Sequence, residues 1–306
     1  MPPISNYIAI LPILNKSCNT FRGPCWWISD GIQFRGLQEE EARIISENLP
    51  QGFVFRAEEN QKAIIVHNLK KGKYKDVQIN HKEELDRLSL CIQFVLNLVG
   101  RLDPISIPYC VVIRDSKVRS FKDYYNYELY GDSFTLQKNK YRIDMKYKRE
   151  EIKKLYEIAN CAIQKDSNLI ITMSRYCAAL MNSSYKNRVI DLTICLESLI
   201  PGRDELSYRF ALYLSLIIEN SIIKREENFI KLKNLYTARS SIVHGSSEND
   251  KRIKQVNDDW NEFLNFAERC IFYKLMFEYK NLDITWTDHL HALSFGGDLV
   301  IYGDDK

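Results

Sequence analysis

Three stretches decide how the second half of this chain folds: VIDLTICLESLI (Val189 to Ile200), PGRDELSYRFALYLSLIIE (Pro201 to Glu219) and FIKLKNLYTARSSIVHGSSEND (Phe229 to Asp250). In each, apolar residues return at steps of three and four, the period of a helix that buries one face. Pro201 and Gly202 separate the first from the second, and Gly245 follows the third, so the breaks carry stop signals. Moving outward from these stretches, glycine and proline almost vanish from Tyr147 to about residue 280. The spacing predicts helices near 147–164, 168–182, 185–200, 204–223, 227–244 and 256–280, with breaks at KDSN, MNSSYKN, PGRDE, KREEN and HGSSEND. Within PGRDE, Asp204 or the nearby Ser207 is placed to cap the next helix. From Asp283 the segment TWTDHLHALSFGGDLVIYGDD reads as a partly extended tail.

The first half has another texture. FVFRA, AIIVHNL, DVQIN and PYCVVIRD are short apolar runs separated by polar or glycine-bearing stretches such as KKGKYKD, and they read as strands. One helix interrupts them, opening after His81 with acids in its first turn and running through EELDRLSLCIQFVLNLVGRL. The expected fold class is therefore α+β. A mixed α/β domain over 1–146 precedes an all-α bundle over 147–282, and 283–306 forms the tail.

With 306 residues, 45% apolar and 12% aromatic, the chain has material for two real cores. Its first residues, MPPISNYIAILPIL, lack a basic leader, and Pro12 interrupts their apolar run, so neither a secretory signal nor a membrane span is expected. Eight cysteines are scattered without a paired framework, several inside runs such as CIQFVLNLV and YCVVI. They read as reduced thiols of a cytoplasmic protein with no membrane partner. A net charge of +3 excludes a polybasic binder. The distribution is more telling: eight Lys/Arg stand against three acids over 138–154, and eight against four over 224–254, segments that would attract a phosphate backbone.

The chemistry concentrates in LYTARSSIVHG, where Arg239 and His244 enclose four residues and Gly245 follows. Spacing alone decides nothing, because 18 arginines and five histidines in this chain give roughly one such match by chance. The residue types fit RNA cleavage. Moving the proton of a 2′-hydroxyl needs a group that titrates near neutrality, which histidine is, and holding the phosphate as charge builds on it suits arginine's fixed, forked cation. Five residues at about 100° each leave the two about 140° apart on a regular helix. They do not share a face unless the last turn loosens at Gly245 or a second copy completes the site.

The order of the three stretches, with a Leu-Glu-Ser-Leu core at Leu196 to Leu199, a Tyr-Arg-Phe-Ala helix at Tyr208 to Ala211 and an Arg-Ser-x-Ile-Val-His-Gly ending at Arg239 to Gly245, resembles the HEPN superfamily. The likeness is to its ApeA-like branch of bacterial anti-phage, or abortive-infection, proteins, over about residues 150–280. It implies a helical, cofactor-free endoribonuclease domain that acts as a homodimer with a composite cleft, and Arg239 and His244 as catalytic residues. Glu197, Arg209 and Ser240 are supporting candidates: Glu197 either orients the catalytic pair or pairs with Arg209, and Ser240 is placed to touch phosphate. The partners implied are RNA and a second copy, with a phage-derived protein as candidate trigger sensed by the N-terminal domain. The alternative is a non-catalytic HEPN module that dimerises and binds RNA or a nucleotide, with Arg239 packing its stem on Leu235 and Ile242, and His244 capping the helix. Ser246 stands where HEPN toxins silenced by nucleotidylation carry a tyrosine, so that regulation is not implied.

Other signals are weaker. The chain has no Cys-x-x-Cys pair, and Cys18 and Cys25 stand without a second pair, so no metal is expected. Asp288, His289 and His291 read as surface or packing residues rather than ligands. Tyr124, Tyr125, Tyr127 and Tyr130 suit a hairpin or domain junction better than a base-stacking platform, and Trp26 and Trp27 suit a core. No phosphate loop, nucleophile elbow or His-Glu-x-x-His helix is present.

Overall fold

The computed structural model describes residues 7–15, 25–48, 59, 61–69, 77–99, 105–107, 109–114, 117–123, 149–202, 204–245, 250–280 and 282–297. The chain divides into two compact units, 1–157 and 158–306. The expected α+β class holds in its coarse form: an antiparallel sheet comes first and helices follow.

In the first unit, strands β1 (Tyr7–Pro12), β3 (Trp26–Ser29), β4 (Ile32–Gly36), β5 (Lys62–Leu69), β7 (Tyr109–Arg114) and β8 (Lys117–Asp123) form one antiparallel sheet in the order β3-β4-β5-β1-β7-β8. Short strands β2 (Leu14–Asn15) and β6 (Ile105–Ser106) pair separately. On β1 and β5, Ile10 faces Ile65 and Leu11 faces Ile64, and all four are buried, so these central strands are covered on both faces. That is why the run YIAILP shows no alternation and was legible only as an apolar stretch.

Helix α1 (Glu39–Asn48) opens with three glutamates and buries Ala42, Ile44 and Ile45 against Ile10, Ala63, Ile65, Val111 and Ile113 of the sheet. A fork of bonds from Arg35 to Glu41, at 2.7 and 2.6 Å, ties β4 to it. Helix α2 (Val77–Val99) starts earlier than expected. Val77 to Asn80 of DVQIN, a run that reads as a strand, supply its opening turn, and α1 is a second helix that the sequence reading did not anticipate. FVFRA, Cys18, Ser246 and Tyr124 to Tyr130 lie outside the described residues.

The second unit is helical. Helix α3 (Arg149–Lys165) begins in the first unit and ends in the second, where α4 (Asn168–Met181), α5 (Tyr185–Glu197), α6 (Leu206–Ile218), α7 (Ile222–Val243), α8 (Lys251–Asp258), α9 (Trp260–Lys280) and α10 (Trp286–Ser294) follow. α4 packs along α5, α6 along α7, α5 lies against α7, and α9 contacts α5 and α6.

Three expectations are corrected. KREEN lies inside α7, because the break comes earlier, where the Glu219 carboxylate accepts from the backbone N–H groups of Asn220 and Ser221 and competes with the helix. Neither Asp204 nor Ser207 caps α6; Glu205 does, in a left-handed conformation (φ 49) without a side-chain bond. The tail beyond Asp283 contains α10, opened by Thr285, whose hydroxyl accepts from the Asp288 N–H. Among the described residues, no helix is long and apolar enough to cross a membrane.

Candidate functional site

Helix α7 ends where Gly245 permits it. Gly245 takes φ +88, a left-handed conformation that costs a residue with a Cβ, and donates to the Ile242 carbonyl at 3.1 Å, while His244 donates to Ser240 at 3.0 Å. The helix buries Leu232, Leu235, Ala238 and Ile242. Arg239, next to Ala238 and one turn before Ile242, lies on the flank of that stripe and is half-buried, whereas His244 is exposed. Among the described residues, no hydrogen bond, ion pair or ring contact joins them.

What surrounds Arg239 instead comes from α5 and from its own helix. Glu197 closes α5, and Tyr236 stands one turn before Arg239 on α7. The Tyr236 pKa is raised, first by burial and then by the negative charge of Glu197; the Arg239 guanidinium pulls the other way, and Glu197 also favours the phenolic proton as an acceptor. Phe210 of α6 holds the Tyr236 ring edge-on, with centroids 5.3 Å apart.

Two atoms in this group are buried without a hydrogen-bond partner among the described residues: Glu197 Oε1 and Arg239 Nε. Arg239 also forms no ion pair there. Leaving such an atom unsatisfied costs about 1–3 kcal/mol, which sets this flank of α7 apart from the satisfied packing around it.

The supporting candidates separate. Arg209 forms no ion pair with Glu197 among the described residues. Its guanidinium lies over the Tyr213 ring, 5.5 Å from the centroid, and against Gly202, where any Cβ would collide with it. Of the two roles open to Glu197, the neighbourhood of Arg239 is the one its surroundings favour. Ser240 is half-buried on the same turn as Arg239. Tyr236 was missed by the sequence reading, although its spacing of three from Arg239 places it on an adjacent helix face. Asp191 was missed too. It is the more buried acid of VIDLTICLESLI, and it binds Arg175 at 2.8 Å rather than any residue of the site.

The remaining signals resolve into packing. His289 is 3% exposed, bonded through Nε2 to the Tyr273 hydroxyl at 2.6 Å and set among Phe277 and Trp286. Asp288 accepts from the hydroxyl of the capping Thr285 at 2.7 Å, and His291 faces the Tyr213 ring at 6.3 Å, so the three have separate partners. Among the described residues, no group of three His, Cys, Asp or Glu side chains is placed to hold a metal. The cysteines described are free thiols. Trp26 is buried, but Trp27 is 48% exposed, beside His67. An open groove of about 610 Å³, lined by Glu205, Leu206, Ser207, Tyr208 and Lys233, contains none of the site residues. Comparison with protein-family models, curated proteins and solved structures finds no match.

Proposed function

We propose that the helical unit is an endoribonuclease of the HEPN class, serving anti-phage defence or acting as a toxin, with Arg239 and His244 at the cleavage site. The observation that carries this reading is the uncommitted guanidinium of Arg239: half-buried, flanked by Glu197 and Tyr236, and without a hydrogen bond or ion pair among the described residues. A cation in that state is prepared for an anion, and a scissile phosphate supplies one. His244 stands exposed at the helix end, where it is accessible to a 2′-hydroxyl.

The reaction is internal transesterification. The 2′-oxygen attacks phosphorus as His244 takes its proton, the bond to the 5′-oxygen breaks, and that oxygen takes a proton from water as it leaves. No metal is needed, because the nucleophile lies within the substrate.

The two residues lie on different sides of α7, so a homodimer fits best, with the second copy's histidine approaching the phosphate held by the first copy's arginine. Ile223 and Ile230, 72% and 54% exposed, stand one heptad apart on α7. A second copy of the chain laid along that stretch would cover both isoleucines.

The test is to incubate the purified chain with total RNA in excess EDTA. Cleavage is expected to persist, to leave 2′,3′-cyclic phosphate and 5′-hydroxyl ends, and to disappear in Arg239→Ala and His244→Ala with the circular dichroism unchanged. Light scattering should report about twice the 36.0 kDa chain mass. Ends carrying 3′-hydroxyl and 5′-phosphate made only with Mg²⁺, or either variant retaining activity, would overturn the assignment. RNA binding without cleavage would favour the non-catalytic module.

A further inference from the structure

A second arginine shares the condition of Arg239. Arg188, near the start of α5, is half-buried, with its guanidinium 4.4 Å from the centroid of the Trp260 ring. Its Nε is buried without a hydrogen-bond partner, and among the described residues it forms no ion pair. Trp260 is itself 8% exposed and takes the edge of Tyr185 at 6.2 Å, so the stack is fixed from behind. Burial lowers the Arg188 pKa, and only Tyr185 acts to raise it. The nearby Asp258 bears on the Tyr185 phenol.

Buried charges in proteins are paired as a rule, and an unpaired one marks a place where an opposite charge arrives. Stacking on an indole consumes one face of a guanidinium. It leaves the N–H edge for a phosphate and the other face for a base.

The surroundings point to the same ligand. The Tyr185 hydroxyl donates to the Ile253 carbonyl at 3.3 Å, which brings α8 to this end of α5. That helix buries Ile253 and Val256 and exposes Lys251, Arg252 and Lys254. Glu197, beside Tyr236 and Arg239, lies nine residues further along α5, about 13 Å along the axis and half a turn around it, so a strand that touches both places passes round the helix.

We propose that Arg188, stacked on Trp260 and backed by the basic face of α8, is a second nucleic-acid contact that holds the phosphate of a nucleotide a few positions from the scissile one. It rests on the reading of this unit as an RNA-cleaving domain, and the experiment separates the two. A fluorescein-labelled single-stranded oligoribonucleotide of about a dozen nucleotides is titrated by anisotropy against full-length His244→Ala, alone and combined with Arg188→Gln, Arg188→Lys or Lys117→Gln. Lys117, exposed on β8 and outside both basic segments, controls for the loss of one charge.

Arg188→Gln is expected to weaken binding about tenfold and to lower the salt slope by about one. Arg188→Lys, which keeps the charge and stem but not the fork, should lose about threefold, and Lys117→Gln less than twofold. Melting curves establish that each variant is folded, and the lysine variant keeps the test open if the glutamine variant is not. If both Arg188 variants bind as the parent does while Arg239→Ala weakens binding, this contact is wrong and the cleavage site survives. If Arg188→Gln loses affinity but wild-type chain cuts no RNA, the contact stands and the catalytic reading falls. Absence of RNA binding by the parent, or an equal dependence on Arg188 for polyglutamate, overturns the assignment to RNA.

Discussion

Lys274 offers the sharpest test of how the helical unit is held together. It is 3% exposed on α9, and its Nζ contacts Asp166 at 2.9 Å and Glu278 at 2.5 Å. It also lies 4.6 Å from the Trp286 ring centroid, so one cation joins the α3–α4 turn, α9 and α10. Lysine is almost never buried this far unless paired. Lys274→Met keeps the length and the apolar stem but strands two carboxylates whose side chains are 21% and 16% exposed.

Removing one partner of a buried pair costs about 3–5 kcal/mol, and the residual exposure of both acids places this case near the lower figure. At about 2–4 °C per kcal/mol for a unit of this size, a loss of about 3 kcal/mol lowers the midpoint by some 6–12 °C. Urea unfolding and calorimetry of the full chain measure it. Combining Lys274→Met with Asp166→Asn and Glu278→Gln removes the stranded charges and should restore at least half the loss. A single variant within about 1 kcal/mol of wild type, or a triple variant no better than the single, would refute the reasoning.

Two further outcomes follow from the same packing. Burial lowers the His289 pKa below its ordinary 6.5, so the folded state resists a proton that the unfolded chain accepts. Stability is therefore full above about pH 6.5 and falls as pH drops below it, by at most about 1.4 kcal/mol per unit, until the folded-state pKa is reached. His289→Gln should flatten that part of the profile relative to wild type, and a parallel profile would show that another group titrates. At Gly245 an added Cβ meets nothing within 4 Å among the described residues. Gly245→Ala should therefore cost only the left-handed backbone, about 1–2 kcal/mol, seen in the urea midpoint; a loss several times larger would mean that the turn packs against something else.

Much of the helical unit was legible because each helix buries a periodic stripe. The expected 168–182 and 185–200 meet α4 and α5 closely, and the expected 256–280 meets α9. Asp259 escaped notice because Val256 and Trp260 continue the period across it while its backbone turns (φ −90, ψ 12). In the sheet unit, DVQIN alternates as a strand does, yet the apolar residues of α2 beyond it make that segment a helical start. Trp26 and Trp27 show the limit of composition: adjacent strand residues face opposite ways, so one is buried and the other is not. Arg239 and His244 were visible because they share one short segment. The contact of Arg188 with Trp260 was not, since 72 positions separate them and only the packing of α8 and α9 brings them together.

The candidate site also has unequal supports. The turn after Glu197 is held from two sides: Ser198 bonds Thr172 of α4 at 2.7 Å, and the Leu199 carbonyl accepts from the Trp286 indole N–H of α10 at 2.7 Å. Trp286 in turn packs on Phe277 and lies under the Lys274 cation, so the acid beside Arg239 is anchored through α10 to the buried ion cluster. Phe210 fixes Tyr236 from a third direction. Among the described residues His244 has no comparable anchor: it ends its helix exposed, followed by a glycine whose added Cβ would meet none of them. Under the proposed chemistry this asymmetry matches the two tasks. The cation that stabilises developing charge acts best when it is preorganised, whereas the group that takes a proton must meet a hydroxyl whose position is set by the bound strand. A partner that covers the end of α7 would then supply the constraint that the single chain leaves out.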